Sequence, residues 1–309
     1  MAFIKKSAKQ NYDILSGYSW YVPGVSGMFA LLGMLLFGAL LGNVLTLCLL
    51  PLGQEAASEY GMIIAYPVMF IPAMIYAKMK SNHNAMFEVG YHIDSNHYGQ
   101  GGVAVTALLC MLATMGLAFI MDAVNSLMPP MPEGLEALLS SMTEGNFFLN
   151  FLSVSIFAPF FEEWLCRGMV LRGLLNYKRE DGSQMKPAAA IVISALFFAG
   201  IHLNPWQAVP AFAIGCLMGY VYYKTGSLKL TMLMHFANNT LALCIGQSES
   251  LKDYDSWMDI LPGAAYWGIA AVCAAVIYYV AACHLGKIKT QREAGNSDEI
   301  PVEDPISQL

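Results

Sequence analysis

Residues 25–50 read VSGMFALLGMLLFGALLGNVLTLCLL, without one charged side chain, and Pro51 ends the run. A helix needs about 20 apolar residues to cross the ~30 Å hydrocarbon core of a bilayer, and this run is long enough. The rest of the 309-residue protein agrees: 57% of it is hydrophobic, only 12% is charged, and mean hydropathy is +0.51. An ordinary soluble domain carries roughly 25% charged residues, so a soluble enzyme and a disordered chain are both excluded. The net charge of −6 offers nothing to a phosphate backbone, so no nucleic-acid partner is expected.

Seven further apolar runs follow, with bounds good to a few residues. They are Tyr60–Ala77 (kinked, since it contains Pro67 and Pro72), Val103–Val124, Phe147 past Pro159 to Leu175, Ala188–Leu203, Trp206–Tyr223, Leu228–Ile245 and Ala264–Leu285. The expected fold is all-α: a polytopic membrane bundle of eight helices in one domain over 25–286. A cytoplasmic segment, 1–24, precedes it, and an acidic, flexible cytoplasmic tail, 287–309, follows. No internal repeat is visible, which weighs against a transporter built from inverted halves.

Lysine and arginine set the orientation. Lys5, Lys6, Lys9, Lys78, Lys80, Arg172, Lys178, Arg179, Lys186, Lys224, Lys229, Lys287, Lys289 and Arg292 all fall on one side of the alternation. The opposite loops hold only Lys252, and Arg167 sits within a run. Both termini are therefore expected in the cytoplasm. The first run is too long for a signal-peptide core, so no cleaved leader is expected. The seven cysteines all lie in the runs and read as packing rather than disulfides. The loop 81–102, with His83, His92 and His97, reads as solvated.

Ionisable groups inside hydrocarbon cost several kcal/mol and mark function. The fourth run carries Phe160-Phe161-Glu162-Glu163-Trp164-Leu165-Cys166-Arg167, the fifth ends in Phe197-Phe198-Ala199-Gly200-Ile201-His202, and the seventh carries His235-Phe236-Ala237-Asn238-Asn239. Residues four apart share a helix face. Glu163 can therefore pair with Arg167, Phe198 can pack beside His202, and His235 and Asn239 can present donors together. Glu162, turned about 100° from Glu163, is the carboxylate left over. A buried glutamate is a stronger base than a solvated one, and with a histidine it can activate water. A second histidine and an amide can hold the resulting oxyanion. Ser153, Ser155 and Ser194 lie in no nucleophile motif, and Asn238 reads as interhelical glue.

Glu-Glu-x-x-x-Arg at 162–167, Phe-x-x-x-His at 198–202 and His-x-x-x-Asn at 235–239 resemble, in order, the three motifs of the CAAX-protease and bacteriocin-processing enzyme family of intramembrane proteases. The resemblance covers about 147–245. It implies an intramembrane glutamate endopeptidase in which Glu162 and His202 activate the water. His235 and Asn239 would form the oxyanion site, with Glu163, Arg167 and Phe198 as the brace. The implied partners are a peptide or protein substrate, lipidated or membrane-associated, and the bilayer. The implied location is the bacterial plasma membrane. No cofactor is expected; zinc on Glu162, His202 and His235 is the alternative, although no His-Glu-x-x-His spacing occurs. Two other functions would use the same polar core: a non-catalytic scaffold or bacteriocin-immunity protein, and a proton-coupled transporter.

One geometric tension follows from the helix rise. Glu162 and His235 should lie near the cytoplasmic side, about 22 Å down the fourth run, whereas His202 falls nearer the outside.

Overall fold

The computed structural model describes residues 14–141, 145–251, 254, 256–290 and 299–300. Lys5, Lys6, Lys9, Lys252, Arg292 and most of the expected tail lie outside the described residues. The protein is nearly all-helical. Among the described residues its one sheet is a two-residue antiparallel pair, β1 (Gly90–Tyr91) with β2 (Glu299–Ile300). Four helical stretches are long and apolar enough to cross a membrane: Val25–Leu52, Glu59–Asn84, Gly102–Asn125 and Gly263–Lys287. The protein is an integral membrane protein.

Helices α1 (Val25–Leu47) and α2 (Gln54–Asn84) form a hairpin around Pro51 and Gly53, whose φ of 114° a side chain would strain. They approach closely because α1 presents Gly38 and Gly42. A Cβ on Gly38 would sit 2.1 Å from the Met69 carbonyl oxygen, and one on Gly42 would sit 2.9 Å from that of Ala65. This small-xxx-small seam is how helices meet in lipid, where apolar side chains gain nothing by leaving the solvent. It fixes the stretch of α2 that carries Tyr66. Helix α2 also starts before Tyr60 and runs on through Pro67 and Pro72 as one α-helix. The apolar run marks only what lipid requires, and helical hydrogen bonding continues past it at both ends.

Helices α3 (Gly102–Asn125) and α4 (Glu133–Ser141) lead to the central element, α5, which is helical throughout 147–176. Within α5 two segments adopt the wider π register, Phe151–Phe157 and Trp164–Leu171, on either side of Ala158–Glu163. Pro159 has no N–H for the helical ladder, which frees carbonyls upstream to change register. Helix α6 (Pro187–Gly200) is followed by α7 (Pro205–Thr225), α8 (Leu228–Gly246), α9 (Trp257–Ile260) and α10 (Gly263–Tyr278). Helix α10 is extended by Tyr279–His284 and Leu285–Lys287.

One end of the bundle is tied together by Arg172. Its sequence position reads as a loop cation, yet it is 1% exposed, and all five of its N–H groups are used. Nε donates to the Gly168 carbonyl, Nη1 to Ser19 (2.9 Å) and Tyr91 (2.7 Å), and Nη2 to Tyr18 (3.1 Å) and Tyr21 (2.6 Å). These bonds seat the segment before α1, whose Tyr18 ring packs edge-on against buried Trp164 at 5.3 Å. The loop before α3 is likewise docked rather than solvated. Ile93 is buried, and Asp94 accepts from the backbone N–H of Leu228 (2.7 Å) and Lys229 (3.2 Å), capping α8 together with Ser227. Arg172→Lys should lower stability by roughly 2 kcal/mol or more, because three donors cannot serve five acceptors in the same plane. Thermal unfolding of the detergent-solubilised protein checks this; an unchanged midpoint would remove Arg172 from the scaffold.

Candidate active site

The two glutamates sit side by side on the short α-helical step of α5 and face different neighbours. Glu163 is fully buried and forms a 2.8 Å ion pair with Arg167 one turn on. Arg167 also donates to the Gly215 carbonyl on α7 (3.2 Å), and its guanidinium lies 4.5 Å from the centre of the Phe198 ring. Each member of the pair therefore has compensation beyond its partner, as a charge pair in lipid requires. The close passage of α7 is again set by glycine: a Cβ on Gly215 would lie 3.2 Å from that of Ala195 on α6.

Glu163 also accepts from Nδ1–H of His235 on α8 at 3.1 Å. That bond fixes the imidazole and turns its Nε2 toward Glu162, whose Oε2 lies 3.9 Å away. Glu162 is mostly buried. Its Oε1 accepts a hydrogen bond from the Tyr66 phenol of α2, and its Oε2 has no hydrogen-bond partner.

His202 lies beyond the end of α6, not on it. The helix stops at Gly200, and His202 occupies the turn before Asn204, which caps α7 by accepting from Gln207 N–H at 2.9 Å. Leu203 takes a left-handed φ of 56° to make the turn, a cost of order 1 kcal/mol for a non-glycine residue. His202 Nδ1–H donates to the Phe198 carbonyl at 2.8 Å. In the neutral ring this leaves Nε2 as an acceptor. Phe198 stands edge-on to both imidazoles, with ring centres 5.0 Å from His202 and 5.6 Å from His235. All three motifs thus meet around Phe198.

Two local features bear on the expected difference in depth. Helix α6 has 14 residues, about 21 Å of rise, which is shorter than the ~30 Å hydrocarbon core of a bilayer. The π register of Phe151–Phe157 fits more residues into each turn of α5, which changes the depth of Glu162 from that of an ideal helix.

Asn239 donates to the Val154 carbonyl at 2.9 Å, within that same π segment, where Pro159 five residues on has no N–H to offer that carbonyl. Its side-chain oxygen accepts from Asn238 at 3.3 Å, so Asn238 orients its neighbour instead of bridging helices. One amide N–H of Asn239 remains for a ligand. His202, His235, Asn238 and Asn239 line a cavity of about 910 Å³, with Phe198 and Trp206 among its aromatic walls. Glu162 is not among the lining residues; it meets the cavity wall through His235, 3.9 Å away.

Among the described residues no three His, Cys, Asp or Glu groups are arranged to hold a metal ion.

Tyr66 is the site residue that motif reading missed. It lies 96 residues from Glu162 in a helix that reads as plain membrane span. The available signal was a phenol beside Pro67 in mid-span, a polar tip that needs a partner in lipid.

With this geometry in place, residues 144–241 match the family model of type II CAAX prenyl endopeptidases, Rce1-like. No curated protein and no solved structure matches the sequence. The matched segment includes α5, α6, α7 and most of α8, and the match agrees with the resemblance to the CAAX-protease and bacteriocin-processing enzyme family.

Proposed function

We propose that this protein, with its Rce1-like type II CAAX prenyl endopeptidase domain over 144–241, is an intramembrane endopeptidase that hydrolyses a peptide bond with water activated by Glu162 and His202. Its place would be a bacterial plasma membrane, crossed eight times with both termini inside. The observation that carries the reading is a buried Glu162 Oε2 without a hydrogen-bond partner, 3.9 Å from Nε2 of His235, which lines a cavity together with His202 and Asn239.

The chemistry follows from the donors and acceptors. A water between Glu162 and His202 gives one proton to the carboxylate as its oxygen attacks the scissile carbonyl carbon; His202 Nε2 accepts its second hydrogen and aims the lone pair. The carbonyl π electrons move to oxygen, and the oxyanion receives hydrogen bonds from His235 Nε2–H and the remaining N–H of Asn239. His235 donates from both nitrogens as the imidazolium, and the Glu163 carboxylate facing Nδ1 balances that charge. As the tetrahedral intermediate collapses, the C–N bond breaks and Glu162 returns its proton to the departing amine. Arg167 and Phe198 touch no reacting atom. They hold Glu163 and the two imidazoles in place.

Tyr66→Phe separates orientation from packing. It keeps the ring beside Phe70, 5.6 Å away, and removes the hydrogen bond to Glu162. Peptide cleavage by this variant should fall about tenfold in kcat with KM little changed, the size expected for losing one charge-assisted hydrogen bond. A rise in KM alone would make Tyr66 part of the substrate wall instead.

The mechanism needs no metal. Full activity should persist after EDTA treatment, with purified protein holding far less than one zinc per molecule. Stoichiometric zinc required for activity would replace the scheme with Lewis-acid chemistry.

A further inference from the structure

Five of the described lysines gather at one end of the bundle. Lys78 and Lys80 lie near the end of α2, Lys186 precedes α6, Lys224 ends α7 and Lys229 begins α8. Contacts join this end into one face: Lys78 donates to the Gly17 carbonyl, Arg172 to Tyr18 and Tyr91, and Asp94 pairs with Lys229 at 3.1 Å.

The cavity is built from the opposite helix ends. Its mouth takes Asn125 and Ser126 from the end of α3, Glu136 from α4, Gln207 from the start of α7 and Asp259 from α9. Trp206 Nε1–H donates to the Pro129 carbonyl at 2.9 Å, fastening the loop after α3 across the start of α7 as one wall. Among the described residues no lysine or arginine lines the cavity, whereas Glu136 and Asp259 do. A third carboxylate, Asp122, stands beside them and accepts from Ser256 at 2.7 Å.

From this placement we infer that the cavity opens to the non-cytoplasmic face of the membrane, and that its mouth favours cationic over anionic polypeptide segments. The basic face belongs in the cytoplasm, and a cavity opening at the other end receives its occupant from outside. Carboxylates at the mouth of a low-dielectric cleft concentrate cations and repel anions, among them the free terminal carboxylate of a peptide. The inference deepens the proteolytic reading, on which it relies only for the occupant being a substrate.

The test needs no hydrolysis and therefore fails or succeeds apart from that reading. Ser126→Cys places a thiol on the cavity wall, in a full-length background with the exposed Cys48 and Cys244 changed to serine. Lys80→Cys is the control on the basic face. The probes are two membrane-impermeant methanethiosulfonates, one bearing trimethylammonium and one sulfonate, applied to intact bacterial spheroplasts and to inside-out vesicles.

The expected result is modification of Ser126→Cys from the outer face and of Lys80→Cys only in inside-out vesicles. Relative to a free thiol, the cationic reagent should react at Ser126→Cys roughly tenfold faster than the anionic one. Glu136→Gln with Asp259→Asn should abolish most of that preference. Gln207→Cys gives the same readings from another wall if Ser126→Cys disturbs insertion. Modification of the cavity thiol only from the basic face would overturn the sidedness, and a charge preference untouched by the double variant would overturn the role of the mouth.

Discussion

Glu162→Gln and His202→Ala should each lower the rate of peptide cleavage by about 10²-fold or more while leaving the protein folded, because each removes a group that handles the attacking water. Glutamine is nearly isosteric and can still accept from the Tyr66 phenol, so the helix packing around residue 162 survives. His202 stands in a turn rather than a helix, and the hydrogen bond of its ring, to the Phe198 carbonyl, is replaceable by solvent from the cavity. Helix content by circular dichroism and elution in detergent should therefore match the parent. His235→Ala should show a comparable loss, the range measured when an oxyanion donor is removed. It should also reduce stability, since it strips Glu163 of a hydrogen bond in a fully buried position. Full activity in either Glu162→Gln or His202→Ala would remove the water-activating pair.

Arg167→Ala should be the most destabilising single change near the site. The substitution leaves the Glu163 carboxylate buried at 0% exposure without its guanidinium, and opens the space beneath the Phe198 ring. Breaking one side of a buried ion pair costs about 3–5 kcal/mol, comparable with the whole stability of many domains. The expected outcome is a protein that is degraded in cells, or that unfolds in detergent well below the parent midpoint. Glu163→Gln combined with Arg167→Met should recover a large part of the loss, because no charge is then stranded. It should not recover activity, since His235 loses the carboxylate that orients its ring and balances its charge. Equal unfolding midpoints for Arg167→Ala and the parent would show that the pair carries no structural weight.

What the sequence conveyed about this site was local. Residues four apart on one helix meet whatever the rest of the protein does, so the Glu163–Arg167 ion pair could be read from spacing alone, and the Phe198–His202 ring contact forms too although His202 sits in the turn after α6. Long apolar runs likewise marked helices, because hydrocarbon leaves the backbone no other partner than itself. What escaped was non-local or depended on departures from regular geometry. Tyr66 reaches Glu162 across a helix hairpin set by Gly38 and Gly42. Asp94 leaves a loop that looked solvated to cap α8, and Arg172 looked like a loop cation while it bonds five backbone carbonyls. Neither partner is marked in the sequence, since a carbonyl or an N–H belongs to every residue. The π segments and the early stop of α6 depart from the regular helix, and an ideal rise of about 1.5 Å per residue cannot register them. The setting of Asn239 depends on the same irregularity, for the carbonyl that holds it belongs to a π segment of α5.

The claim on which the rest depends is that three helices gather their polar groups into one hydrolytic centre. It is tested most directly by comparing the membrane peptides of cells that carry the parent protein with those of cells that carry Glu162→Gln at equal abundance, by mass spectrometry of new peptide termini. The account predicts a set of termini present with the parent and absent with the variant. Identical termini in both would contradict it and return the polar core to a structural role.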